Sequence, residues 1–116
     1  MTFDSMIDYT QGSIVVLPIP FTDLKSQKQR PCMVISRQKS EDVIVLAITS
    51  NSRYSHSKFS FTILQKDLIQ GNLPKASYIK LQKVFTIHKN LIRKEVCKLD
   101  PNILKKVINQ FIELIK

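Results

Sequence analysis

Every apolar run in this chain is short until the last fifteen residues. Ile14-Val15-Val16-Leu17 is four residues long, and Pro18 and Pro20 close it, because proline cannot donate to a central ladder. Cys32-Met33-Val34-Ile35 sits in a second strand expected over 31–36. "DVIVLAIT", 42–49, is an almost continuous β-branched run and predicts a strand buried on both faces. "FSFTIL", 59–64, alternates as a half-exposed strand should, which puts Phe59 and Phe61 on one core-facing side. "KDLIQG" predicts one helical turn stopped by Gly71. "SYIKLQKVFTI", 77–87, predicts one bent strand or two short ones with a polar face.

Only the end of the chain has helical spacing. Asp100 can cap free N–H groups, and Pro101 fits the first helical position. Ile103, Leu104, Val107, Ile108, Phe111, Ile112 and Ile115 then recur on one face, for a helix over about 101–115. Short strands followed by a terminal helix predict a mainly β fold, a small curved antiparallel sheet or barrel. The 116 residues make one expected domain, 1–116, with no repeat or linker.

Charge narrows the partners. There are 18 Lys and Arg against 9 Asp and Glu. Residues 1–24 hold Asp4, Asp8 and Asp23 and no cation, whereas residues 25–39 hold Lys25, Lys28, Arg30, Arg37 and Lys39 and no acid. A clustered field acts on an anionic ligand more than a total does. Two glycines cannot build a glycine-rich phosphate loop. No His, Cys or carboxylate spacing suggests a metal site, so no cofactor is expected. Cys32 and Cys97 are expected as free thiols. The acidic N-terminus does not read as a signal peptide and no run is long enough to span a membrane, so a cytoplasmic protein without a membrane partner is expected.

A phosphodiester can be cut without metal if it is RNA, because the 2′-hydroxyl can attack the adjacent phosphorus. The protein must move two protons and stabilise the charge on the phosphoryl oxygens. A guanidinium suits the second task. Arg30 enters the second strand, and Thr49-Ser50-Asn51 leaves the third. If these strands pair antiparallel, the cation and the neutral donors lie at one end of the sheet. Lys25 and Lys28 are candidate phosphate contacts. Tyr54, in the serine-rich loop, is a candidate for stacking on a base. His56, beside it, and His88, at a turn, read as incidental and structural.

"GSIVVLPIPFTDLKSQKQRPCMVIS", "VLAITSN" and "DLIQGNLPKASYIKLQKVFTI" resemble, in order and spacing, the MazF/PemK toxins of bacterial toxin–antitoxin systems. The resemblance runs from about Gly12 to about Ile92, with a C-terminal helix where the family has one. It implies an SH3-like β-barrel of the MazF/PemK/CcdB type, acting as a homodimer. It implies sequence-specific, metal-independent cleavage of single-stranded RNA to a 2′,3′-cyclic phosphate and a 5′-hydroxyl. The implied partner is an antitoxin whose acidic tail fills the RNA groove. The family's catalytic arginine falls on Arg30 and its threonine on Thr49. Ser77, Lys80 and Gln82 fall on a strand that borders the RNA site. The chain departs from the pattern at Ser13, where aspartate is common, and at Gln82, where some members have a proton-transferring acid. Two other readings stay open: a non-enzymatic toxin that binds a protein such as a topoisomerase, and an RNA-binding module that has lost catalysis.

Overall fold

In a computed structural model, residues 9–18 and 28–116 are described. They form seven strands and one helix: β1 Ser13–Pro18, β2 Gln29–Val34, β3 Asp42–Thr49, β4 Ser60–Ile63, β5 Leu68–Gly71, β6 Ser77–His88, β7 Lys94–Leu99 and α1 Pro101–Ile115. The strands make one antiparallel sheet in the order β4-β6-β3-β2-β1-β7-β5. Its two edges, β4 and β5, are consecutive in sequence, separated only by residues 64–67. A flat sheet of seven strands would hold its edges about 29 Å apart at the usual spacing. Five residue steps reach about 18 Å at most. The sheet therefore has to curl into a half-barrel, as the mainly β reading with a terminal helix requires.

The short link is tied down. Asp67 accepts from the Leu64 backbone N–H at 2.8 Å, and Gln65 accepts from that of Leu73 at 2.7 Å. The expected helical turn here is instead a 3-10 turn, Gln65–Asp67, running straight into edge strand β5. Gly71 ends that strand with φ +87°.

Two apolar clusters divide the core. One gathers residues from every strand, among them Ile14, Met33, Leu46, Ile63, Ile79 and Leu99, with Leu68 of β5 packed on it, and it receives Val107 of α1. The other holds Val15, Leu17, Cys32, Val34, Val43 and Val45. Successive residues of β1, β2 and β3 thus serve opposite clusters, as the period of two demands. The expected two-sided burial of β3 fails at Ile44, which is 40% exposed. Both cysteines are free and buried. Burial pushes the Cys32 thiol up to about 12 and the Cys97 thiol, with help from the Glu95 charge, to about 11.

Helix α1 starts where the sequence places it. Asp100 accepts from the Asn102 N–H at 2.7 Å. Replacing Asp100 by alanine should cost about 1 kcal/mol, read from the denaturation midpoint, because that N–H loses its acceptor. Val107 is fully buried, while Ile112 and Ile115 of the same stripe are exposed.

Three other expectations are corrected. Strand β2 starts two residues early and ends two early, at 29–34. Pro31 is tolerated within it because the β2–β3 ladder begins only at Cys32, so the missing N–H falls where the strand has one neighbour. Strand β7 had no counterpart in the sequence reading. Phe61 packs on the core, but Phe59 lies outside β4 and is 38% exposed, beneath the Lys58 ammonium.

Candidate functional site

The ladder between β3 and β6 slips. Leu46 faces Val84, but Ile48 faces Ile79. Two steps on β3 thus match five on β6, and the surplus residues bow outward between 80 and 83. Past the bulge β6 turns to β4, where Lys80 faces Ser60. Leu81 still points into the core, and its N–H reaches the Phe59 carbonyl at 2.9 Å. Its neighbours Lys80 and Gln82 point the other way by strand alternation.

That bend makes one wall of a groove of about 510 Å³, lined by Lys80, Gln82, Lys83, Val84 and Phe85 from β6, Ile48 and Thr49 from β3, Arg30 from β2, and Arg53 and Tyr54 from the 3-10 turn Ser52–Tyr54. Strands β2 and β3 pair Cys32 with Ala47 and Met33 with Leu46. Continued by two residues, this register sets Arg30 opposite Thr49. Of the described residues that line it, four are cations and none is acidic. Such a concentration of like charge draws in a polyanion.

The loop after β3 is locally determined. The Thr49 hydroxyl oxygen accepts from the Asn51 N–H at 3.2 Å, which leaves its own proton to donate. The Asn51 side chain accepts from the Arg53 N–H at 3.1 Å and so caps the 3-10 turn. Arg53 donates to the Tyr54 hydroxyl at 3.0 Å, and the Lys80 ammonium lies 4.7 Å from the Tyr54 ring centre. The Arg53 hydrogen bond, followed by the Lys80 charge, lowers the Tyr54 pKa below its ordinary value. A smaller recess of about 150 Å³ adjoins, lined by Tyr54, Ser57, Phe59, Lys80, Gln82 and Lys83.

Of the residues expected at a site, Arg30, Thr49, Tyr54, Lys80 and Gln82 meet in this groove. Ser50 and Asn51 are exposed beside it. Lys28 is exposed just ahead of β2 and does not line it. Ser77 is buried in the β4–β6 ladder, and its hydroxyl donates to the Lys75 carbonyl at 3.3 Å. Lys25 lies outside the described residues. Arg53 and Lys83 went unforeseen. A basic residue beside Tyr54 could have pointed to the first; the second reaches the groove only through the bulge. Among the described residues no three His, Cys, Asp or Glu side chains gather as a metal site. No helix among them is long and apolar enough to cross a membrane.

Residues 10–115 match the family described as PemK-like, MazF-like toxin of type II toxin–antitoxin system. No curated protein matches the sequence. Solved structures share the fold at low identity. An endoribonuclease in complex with its cognate antitoxin, from a mycobacterial species, superposes with a TM-score of 0.71 at 13% identity, over 90% of this chain and 92% of that one. A MazE–MazF complex from Deinococcus radiodurans gives 0.71 at 15% identity, over 94% and 96%. The Mycobacterium tuberculosis toxin MazF-mt6 gives 0.62 at 18%, over 87% and 96%.

Proposed function

The chain belongs to the PemK-like, MazF-like toxins of type II toxin–antitoxin systems, and from that premise we propose that it is a metal-independent, sequence-specific endoribonuclease acting on single-stranded RNA. One observation carries this reading: a groove whose described lining includes both Arg30 and Thr49 and holds four cations and no carboxylate.

The chemistry follows from that donor set. A phosphate in the groove meets the planar fork of Arg30, which takes up the charge that grows on the phosphoryl oxygens as the 2′-oxygen attacks. The Thr49 hydroxyl adds a neutral donor. Lys80 and Lys83 hold flanking phosphates, Lys28 extends the track ahead of β2, and Lys25 is a further phosphate contact by its place in the sequence. Gln82 offers an amide to a base edge. Asn51 and Ser77 act through the backbone they fix, and Ser50, exposed beside the groove, offers its hydroxyl to the RNA. The products are a 2′,3′-cyclic phosphate and a 5′-hydroxyl end. The same positive groove suits the acidic tail of a cognate antitoxin, which would exclude RNA by occupying it. The toxin acts as a homodimer in the cytoplasm.

The test is cleavage in excess EDTA. Discrete cuts in a long single-stranded RNA by the parent, and none by Arg30→Ala, are expected. Intact RNA after long incubation with folded, RNA-binding parent would overturn the enzyme reading and leave a binding module. Binding itself should be steeply salt-dependent. If all four groove cations meet phosphate, log K should fall against log salt with a slope of about −2.8, and Lys83→Ala should reduce it by about 0.7. Anisotropy titrations with a 2′-O-methyl RNA, which cannot be cut, measure this.

A further inference from the structure

Among the described residues no His, Asp or Glu lines the groove, and the Gln82 amide has no proton to exchange near neutral pH. A guanidinium is a poor proton donor near neutral pH. His56 is in the neighbouring loop but not in the groove wall. Yet the departing 5′-oxygen needs a proton, or the bond to phosphorus must break to a bare alkoxide.

The geometry points to the Tyr54 hydroxyl as the general acid of the cleavage step, an inference that rests on the ribonuclease reading above. Tyr54 lines the same groove as Arg30 and Thr49. Its oxygen accepts a hydrogen bond from Arg53 at 3.0 Å, so its own proton remains to be given. When that proton leaves, the phenolate stays beside the Arg53 guanidinium, with the Lys80 ammonium 4.7 Å from the ring centre. Two cations thus compensate the charge the transfer creates. Asn51 holds this arrangement by capping the turn that carries both Arg53 and Tyr54.

The step balances. The 2′-oxygen forms a bond to phosphorus as its proton passes to water. The bond from phosphorus to the 5′-oxygen breaks, and its electron pair stays on that oxygen. That oxygen takes the proton of Tyr54, and water later restores the phenol. Among the described residues the charged groups that share the groove with the phenol are Arg53 on its own turn, Lys80 and Lys83 on β6, and Arg30 on β2, all cationic. They favour the phenolate, which agrees with the lowered pKa. A general acid must be protonated to work, so cleavage should fall as pH rises through the phenol's pKa.

The experiment compares the full-length parent, Tyr54→Phe and Arg53→Gln on two RNAs of one sequence, each folded protein checked by circular dichroism. One RNA is ordinary. The other carries a bridging sulfur at the scissile 5′ position, whose thiolate leaves without protonation. Tyr54→Phe should lose about 10²–10⁴-fold on the ordinary RNA and cut the sulfur substrate close to the parent's rate. Its alkaline loss of activity should vanish, and in Arg53→Gln that loss should move to higher pH. Equal losses on both substrates would overturn the inference and leave Tyr54 a structural or stacking residue. An unchanged rate and pH profile in Tyr54→Phe would overturn it as well. If the parent cuts the sulfur substrate alone, the acid is missing and the inference fails while the ribonuclease reading survives. If the parent cuts neither RNA, the ribonuclease reading fails, and the inference with it.

Discussion

Arg30→Ala is expected to slow RNA cleavage by about 10²–10³-fold, the range seen when one preorganised donor to a developing oxyanion is removed. The change should barely touch the fold. Arg30 is exposed at the start of β2, so alanine opens no hole in either apolar cluster. Exposed substitutions of this kind usually move stability by less than about 0.5 kcal/mol. Single-turnover cleavage and urea denaturation, measured on the same preparation, separate the two effects. Arg30→Lys refines the argument. It keeps the charge but not the planar fork. Cleavage should recover only partly, while the salt slope of binding returns to that of the parent. A full recovery would mean that Arg30 supplies field alone, and that the register opposite Thr49 carries no meaning.

Gly71→Ala should cost more stability than the same change at Gly12, the chain's other glycine. Gly71 holds φ at +87°, where a side chain is strained whatever the space. There is also no space. A Cβ would lie 2.6 Å from the Cα and Cβ of Cys97 and press on the Val96 carbonyl. The carbonyl and the Cα are backbone atoms of β7, the strand that β5 pairs with, and they cannot step aside without breaking the ladder. Strain and overpacking together should cost about 3 kcal/mol or more. For a chain of this length that is a fall in Tm on the order of 10 °C or more. Gly12→Ala is the control. Its φ is +93°, but the new Cβ would meet only the tip of the Leu104 side chain, at 3.0 Å. A flexible side chain can give, so the loss should be visibly smaller. Equal losses at both positions would show that φ alone matters and the close approach of β5 to β7 does not.

The sequence carried the parts of the fold whose pattern is local. Strand β3 and helix α1 announce themselves, one by an unbroken β-branched run and the other by Asp100-Pro101 followed by helical spacing. Strand β7 does not. "KEVCKL" hides its inward residues, Cys97 and Leu99, among two lysines and a glutamate, and only the neighbours β1 and β5 make it a strand. "KDLIQG", 66–71, reads as a helical turn, but only Lys66 and Asp67 belong to the 3-10 turn, and from Leu68 the pairing with β7 takes over. The site divides the same way. Arg30 and Thr49 could be brought together from the short connection between their strands. Lys83 could not, because the slip in register that presents it belongs to the pairing of β3 with β6 and to neither strand alone. Phe59 was assigned to the core because period two was carried one residue past the true start of β4.

The order of strands sets a timetable as well as a shape. Strand β1, the first to leave the ribosome, has β7 on one side, with Ser13 against Lys98. Strand β5 likewise has no partner in the sheet except β7. Until β7 is made, β1 lacks one of its two neighbours and β5 lacks its one partner in the described sheet. Contacts so distant in sequence slow folding, since the loop must close before the pairing repays it. The Arg30–Thr49 end of the groove belongs to β2 and β3, which stand between β1 and β6 in the finished sheet. A partly synthesised chain therefore carries Arg30 and Thr49 on a sheet with one flank still open. Pairing with β7, rather than the appearance of Arg30 and Thr49, is what closes the flank of the sheet that carries them.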